Sequence, residues 1–236
     1  MLKRVEVLHE DIFCIVINKS AGLAVQGGKG IGVSLDSILA GNWPQRPLLV
    51  HRLDRDTSGI ILVAKTKQTA AFFSRIFNEK TSNHAPPFPT PHSPLPIPRS
   101  LTKQYLAVCK GKPPSAEGAI TLDLDIRGNA KKSVTRFRLL DYGGEFSLLE
   151  LELGTGRMHQ IRRHLALTGN PVLGDGKYGD FPLNHSLRAT MRLRNMLLHA
   201  SRLVIPEMPD GTCLDISAPL PDYFQGFIDT RISRIT

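Results

Sequence analysis

The chain has 236 residues and carries 30 Lys and Arg against 21 Asp and Glu, a net charge of +9. With 41% hydrophobic and 22% charged residues it is excluded from the disordered class, and its length suits one sizeable core, so a single domain over 1–236 is expected. The surplus of positive charge points to a polyanionic partner.

No apolar run approaches the roughly 20 residues that a membrane span needs, and the start MLKRVEVLHEDIF lacks the apolar stretch and cleavage site of a signal peptide. A cytoplasmic monomer that binds nucleic acid, without membrane contact, is the expectation. Cys14, Cys109 and Cys213 are odd in number and far apart, which fits small buried residues better than disulfides or a thiolate metal site.

From Val5 to Asn18 the runs VEVL and FCIVIN read as two strands joined by a turn at His9, Glu10 and Asp11. KSAGLAVQGGKGIG follows as a glycine-rich loop whose glycines match neither the dinucleotide fingerprint nor the phosphate-loop pattern. Leu48 to Lys65 holds two strand-like segments, LLV and IILVA, around the polar insert HRLDRDTSG. In KQTAAFFSRIFNEK, Phe72, Phe73, Ile76 and Phe77 share one face of an amphipathic helix ending near Lys80. Residues 81–98 contain seven prolines and are expected to form an exposed loop insertion.

KQYLAVC, AITLDLDI, SVTRFRLLDY and FSLLELEL then read as successive strands of an α+β domain, a mostly antiparallel central sheet flanked by helices. RMHQIRRHLALT is predicted as a helix stopped by Gly169 and Pro171, and LLHASRLVI and CLDISAP as late strands.

Three features bear on chemistry. HRLDRDTSG places Asp54 and Asp56 in a short connection between strands, where rigid flanks can hold an active-site carboxylate; Asp56, followed by Thr57, Ser58 and Gly59, suits the turn role better. On the predicted helix Met158, Ile161 and Leu165 form an apolar stripe flanked by Arg157 and Arg162, while Arg163 points away. Arg162 is therefore the arginine expected to be partly buried and to need an anionic partner, for which Asp54 is the candidate. His159 and His164 do not share a face well enough to bind a metal. RGNAKKSVTRFR, GRMHQIRRH and the stretch from Arg188 to Arg202 are basic runs that together favour a phosphate-neutralising surface.

In order along the chain, HRLDRDTSG followed by AK, KQY with Gly111, GRMHQIRRH, GDGKYG and LHASRL resemble the motifs of the RluA-type pseudouridine synthase family, from about Val5 to Pro221. The resemblance implies a pseudouridine synthase-like catalytic domain that isomerises uridine in structured RNA, without cofactor or metal. It implies Asp54 as the catalytic aspartate, Tyr105 as the residue packing on the target base and Arg162 as the partner of the aspartate. Arg52 corresponds to the arginine that enters the space left by the flipped uridine. His51, Arg157, His159, Gln160, Arg163, Lys131 and Lys132 complete the candidate RNA contacts.

Two departures are expected, the proline-rich insertion and the lack of room for an accessory N-terminal RNA-binding domain. Ribosomal RNA is the first candidate substrate and transfer RNA the second. A non-catalytic RNA-binding or ribosome-assembly module is the alternative from another class. A hydrolase using Asp54 and Asp56 as a carboxylate pair is the alternative enzyme.

Overall fold

The computed structural model describes residues 5–28, 30–78, 100–126 and 128–232; the proline-rich insertion expected at 81–98 lies outside them. The elements are β1 (Glu6–Glu10), β2 (Cys14–Lys19), α1 (Leu35–Asn42), β3 (Leu48–Leu49), β4 (Ser58–Ala64), α2 (Lys67–Asn78), β5 (Thr102–Lys110), β6 (Glu117–Ile126), β7 (Asn129–Gly143) and β8 (Phe146–Leu153). After these come α3 (Gln160–Leu167), α4 (Phe181–Met191), β9 (Leu198–Ile205), β10 (Leu214–Ser217) and α5 (Asp222–Arg231). This is an α+β fold whose strands pair mainly antiparallel. No helix among the described residues is long and apolar enough to cross a membrane.

Two compact units emerge. The first takes its described residues from within Met1–Glu79, Leu95–Thr102 and Ala200–Pro219, and the second takes its described residues from within Lys103–His199 and Leu220–Thr236. In the first unit β2 lies between β1 and β4, β3 also pairs with β4, and β10 pairs with β9. The turn between β1 and β2 forms because Asp11 Oδ1 accepts the amide hydrogens of Phe13 and Cys14, each at 2.7 Å. Every residue of β4 is buried, and Ile60, Leu62 and Ala64 meet Val16 and Phe73 in one core. Ala70, Phe72, Ile76 and Phe77 pack on that core from α2, as the spacing of the aromatic residues predicts. Helix α1 carries no strong periodic signal and is nucleated by its cap: the Ser37 amide donates to Ser34 Oγ at 3.2 Å, and the Ser34 amide to Ser37 Oγ at 3.0 Å.

In the second unit β5, β8, β7 and β6 follow one another as antiparallel neighbours. Val108, Phe146, Leu173 and Leu197 form its core with Phe224, Phe227 and Ile228 of α5 and Leu187 of α4. Neither of these helices is evident from periodicity. Helix α4 starts where the Asp180 side chain accepts the Leu183 amide hydrogen at 3.0 Å, with Pro182 in its first turn.

Candidate active site

Residues 50–57 join β3 to β4 and alternate between anchor and exposure. Leu53 is only 5% exposed and Thr57 and Ser58 are buried, whereas Arg52, Arg55 and Asp56 stand in solvent and Asp54 is half-buried between them. The Thr57 amide donates to the Asp54 carbonyl at 3.2 Å and closes the turn. Gly59 has φ +105, and a side chain there would strike the backbone of Ala200, so the turn's last position demands glycine. His51 stacks on Phe77 with centroids 4.1 Å apart and planes 11° apart, and its Nε2 accepts the Leu62 amide hydrogen at 2.8 Å. These contacts turn the His51 ring toward the protein and fix the start of the loop.

Under the loop lies a lysine that pattern reading passed over. Lys19 ends β2 fully buried, and its ammonium donates to the carbonyls of Ser20, Leu23 and Arg55, each at 3.0 Å. Its one sequence signal is a charged residue closing the otherwise apolar run FCIVIN.

In the second unit Arg162 is 5% exposed, so the expectation of a buried guanidinium holds. Its partner within the unit is Asp175, reached in a fork: Nε donates to Oδ2 at 2.8 Å and Nη2 to Oδ1 at 2.7 Å. The Lys177 and Tyr178 amides also donate to Asp175 Oδ1, at 2.8 and 3.1 Å. Burial disfavours the charged carboxylate, but these donors outweigh it and hold Asp175 below the usual range. Asp175 is the partner that the helix-face reading missed, although GDGKYG already marked its neighbourhood. The Tyr178 ring lies 5.2 Å from Arg162 Cζ, and its hydroxyl meets His159 Nδ1 at 3.0 Å.

The helix starts later than its apolar stripe suggests. His159 sits at φ 53, ψ 29, a left-handed conformation that costs energy in a residue other than glycine, and α3 begins only at Gln160. Arg157 and Met158 therefore precede the helix, and Met158 is 57% exposed rather than part of the stripe. Gln160 is buried and tethers this entry: Oε1 accepts from Thr155 Oγ1 at 2.6 Å and from the Arg157 amide at 3.0 Å, while Nε2 donates to the Val134 carbonyl and to Thr135 Oγ1. Those four bonds use its whole hydrogen-bonding capacity. Arg163 Nη1 donates to the Asp125 carbonyl at 2.9 Å. Tyr105 is buried on β5, opposite Leu151 of β8, and burial lowers the pKa of nearby Lys103 on the same strand.

The basic runs do not survive intact as surface charge. Arg136 and Arg138 of β7 pair across the ladder with Glu152 and Glu150 of β8, at 3.4 and 2.6 Å, and Arg202 of β9 pairs with Asp215 of β10 at 2.6 Å. Lys131 and Lys132 remain exposed near the β6–β7 hairpin end. Among the described residues His9, Asp11 and Cys14 offer metal-type ligand atoms within 4.8 Å of one another. Asp11 already closes the β1–β2 turn, and burial together with the Asp11 charge pushes the Cys14 thiol up to about 12, so the group serves as turn and core.

The comparisons with known proteins agree with one another. The family model for RNA pseudouridylate synthases matches residues 13–167. Ribosomal large subunit pseudouridine synthase C of Rickettsia bellii is 35% identical over 233 residues, covering 92% of this chain and 69% of that protein. The Vibrio cholerae protein of the same name is 30% identical over 230 residues, covering 93% of this chain and 67% of its own length. Among solved structures, human RNA pseudouridylate synthase domain containing 1 superposes with a TM-score of 0.72 at 26% identity, covering 94% of this chain and 85% of that one. With a match over most of its length and the motif turn built as described, the chain belongs to the RNA pseudouridylate synthase family, isomerases that convert uridine to pseudouridine in RNA.

Proposed function

We propose that Asp54 is the catalytic carboxylate and that large-subunit ribosomal RNA is the substrate. The observation that carries the first part is the anchored turn: Leu53 and Thr57 are buried on either side of a half-buried Asp54, so the carboxylate is presented from a fixed backbone. The second part rests on relatives named as ribosomal large subunit enzymes.

A uridine inside folded RNA hides its glycosidic bond. Extruding it costs a few kcal/mol of stacking, which new contacts must offset. Arg52, exposed at the entrance of the turn, is suited to fill the vacated space, and Tyr105 to pack on the extruded base. An ionised Asp54 then either adds to the substrate as a nucleophile or withdraws a proton, and uracil leaves, turns and rejoins through carbon. Arg162 matches the family's partner of the aspartate, and the Asp175 fork holds its guanidinium plane through Nε and Nη2. Lys131, Lys132, Arg157 and Arg163 supply positive charge for phosphates.

The test is to map pseudouridines in total RNA from cells with and without the gene. Loss of one or more sites in large-subunit ribosomal RNA is expected. Loss confined to transfer RNA would move the substrate assignment, and an unchanged map would defeat it.

A further inference from the structure

A fully buried ammonium at the end of an apolar strand is expensive unless its geometry is used. Lys19 has three N–H donors, and three carbonyl oxygens accept them, each at 3.0 Å. Two of those carbonyls, Ser20 and Leu23, belong to the turn that follows β2. The third, Arg55, comes from 36 residues away and directly follows Asp54 in the chain. The same Arg55 carbonyl also accepts from the Gly22 amide at 2.9 Å. The backbone on one side of Asp54 is therefore held by the buried Leu53 side chain and on the other by this double acceptor.

We propose that Lys19 is the positioning residue of the active-site turn: its protonated amine fixes the Arg55 carbonyl, and so the direction in which Asp54 is presented, and it releases that hold when it becomes neutral. The proposal rests on the reading of Asp54 as the catalytic carboxylate.

Hydrogen-bond count is the reason. A neutral amine keeps two hydrogens and gains a lone pair, so one of the three carbonyls must face that lone pair. Ser20 and Leu23 are tied to Lys19 through four residues of chain, which leaves the distant Arg55 carbonyl as the contact that yields. The charged groups facing the amine are Asp56 and Asp54 of the loop. The Arg55 side chain lies largely in solvent beside Asp56, and Gly59, the β4 residue opposite Lys19, brings no side chain. Glu6 on β1 bonds to the neighbouring Asn18. Burial outweighs the two aspartates and lowers the Lys19 pKa to about 8, within reach of working conditions.

Linkage then separates positioning from stability. Because the folded value of about 8 lies below the 10.5 of an unperturbed lysine, the unfolded chain holds more protons between those limits. The contribution of Lys19 to stability therefore rises with pH across that window. A merely structural lysine would make turnover follow stability. A positioning lysine makes turnover fall while its stability contribution rises.

The experiment measures tritium release from an RNA stem-loop labelled at carbon five of uridine, with thermal melts alongside, from about pH 6.5 to about pH 9.5. Wild type, Lys19→Met, Asp56→Asn and Asp54→Asn are compared. For wild type kcat should fall up to ~10-fold per pH unit above the midpoint, with KM unchanged and no matching drop in melting temperature. Lys19→Met should be slower by ~10-fold or more at neutral pH and should keep only the pH dependence of uracil ionisation, which all the variants share. Asp56→Asn removes the facing charge with the larger effect on Lys19 and should move the wild-type midpoint down by ~0.5 pH unit, which serves as the test even if Lys19→Met fails to fold. Wild-type turnover by Lys19→Met, an unmoved midpoint in Asp56→Asn, or a melting temperature that falls together with kcat would overturn the proposal. Turnover by Asp54→Asn would instead overturn the reading of Asp54 on which it rests.

Discussion

In the turn between β3 and β4 the Asp54 carboxylate is held through backbone. Asp54 sits between buried anchors, and the carbonyl after it is grasped by an ammonium and an amide. At the corner of α3 the Arg162 cation is held through its own side chain, by a two-bond fork to the Asp175 carboxylate that two further amides fix. The first arrangement leaves the charge half-buried. The second buries both charges, so each becomes structurally indispensable to the other. Residues held by backbone can thus be changed for chemistry at little cost in stability, whereas residues held by buried charge cannot.

The largest expected effect tests the first half of that contrast. Asp54→Asn should lower pseudouridine formation by at least ~10^3-fold, since the amide can neither attack nor take up a proton, while the thermal melt stays close to wild type. A variant that retains turnover would remove Asp54 from the chemistry, and one that unfolds would show that the turn depends on its side chain after all.

The second half predicts a loss of stability. Asp175→Ala should cost about 3–5 kcal/mol in denaturant unfolding, because it removes the two-bond fork from a buried guanidinium. Replacing both residues with Leu should recover most of that stability without restoring activity. If Asp175→Ala melts like wild type, the fork does not carry the corner.

A smaller effect probes the α3 corner by pH. His164 is fully buried on α3, and burial, helped by the nearby Arg163 and opposed by the Leu122 backbone, lowers its pKa. The unfolded chain therefore takes up a proton first, and stability is lost as pH falls below about 6.5 toward the lower folded value. The Asp175 carboxyl is also depressed, so its contribution is present above about 3.9 and disappears as pH falls through its folded pKa. Melting temperature should decline in two steps on acidification, the upper step flattened in His164→Leu and the lower in Asp175→Asn. A single step unaffected by His164→Leu would contradict the assignment.

The smallest effect belongs to Asp56. Its side chain is more than half exposed, and its ion pair with Arg55 is long, at 3.7 Å. Asp56→Asn should change turnover at neutral pH by less than ~3-fold, which steady-state rates can check. A loss comparable with that of Asp54→Asn would mean that the two aspartates act as a pair.

How much of this was legible depended on the range of the interaction. HRLDRDTSG could be read as a turn between strands because its polar residues interrupt two apolar runs, and the Phe72, Phe73, Ile76 and Phe77 face of α2 followed from spacing alone. The start of α3 could not be read that way. GRMHQIRRH has helical periodicity throughout, but Gln160 draws its four bonds partly from Val134 and Thr135, and the chain reaches them by taking a left-handed step at His159. Periodicity has no information about a partner 25 residues away. The basic run RGNAKKSVTRFR was misleading for the same reason, since β8 supplies the acids that pair with Arg136 and Arg138.

The succession of strands along the chain, the apolar face of α2 and the excess of positive charge are local properties of the chain, and the residues alone settle them because neighbours in sequence set backbone periodicity and side-chain alternation. Which charges meet is decided only when distant segments come together. Arg162 was bound to need an anion once buried, but Asp175 supplies one because the turn after β5's neighbour Val172 brings its carboxylate within 2.8 Å. Lys19 became a buried three-way donor only because the Arg55 carbonyl closes over it. The free energy of a buried charge depends on every group around it, and those groups are chosen by tertiary packing rather than by adjacency in the chain.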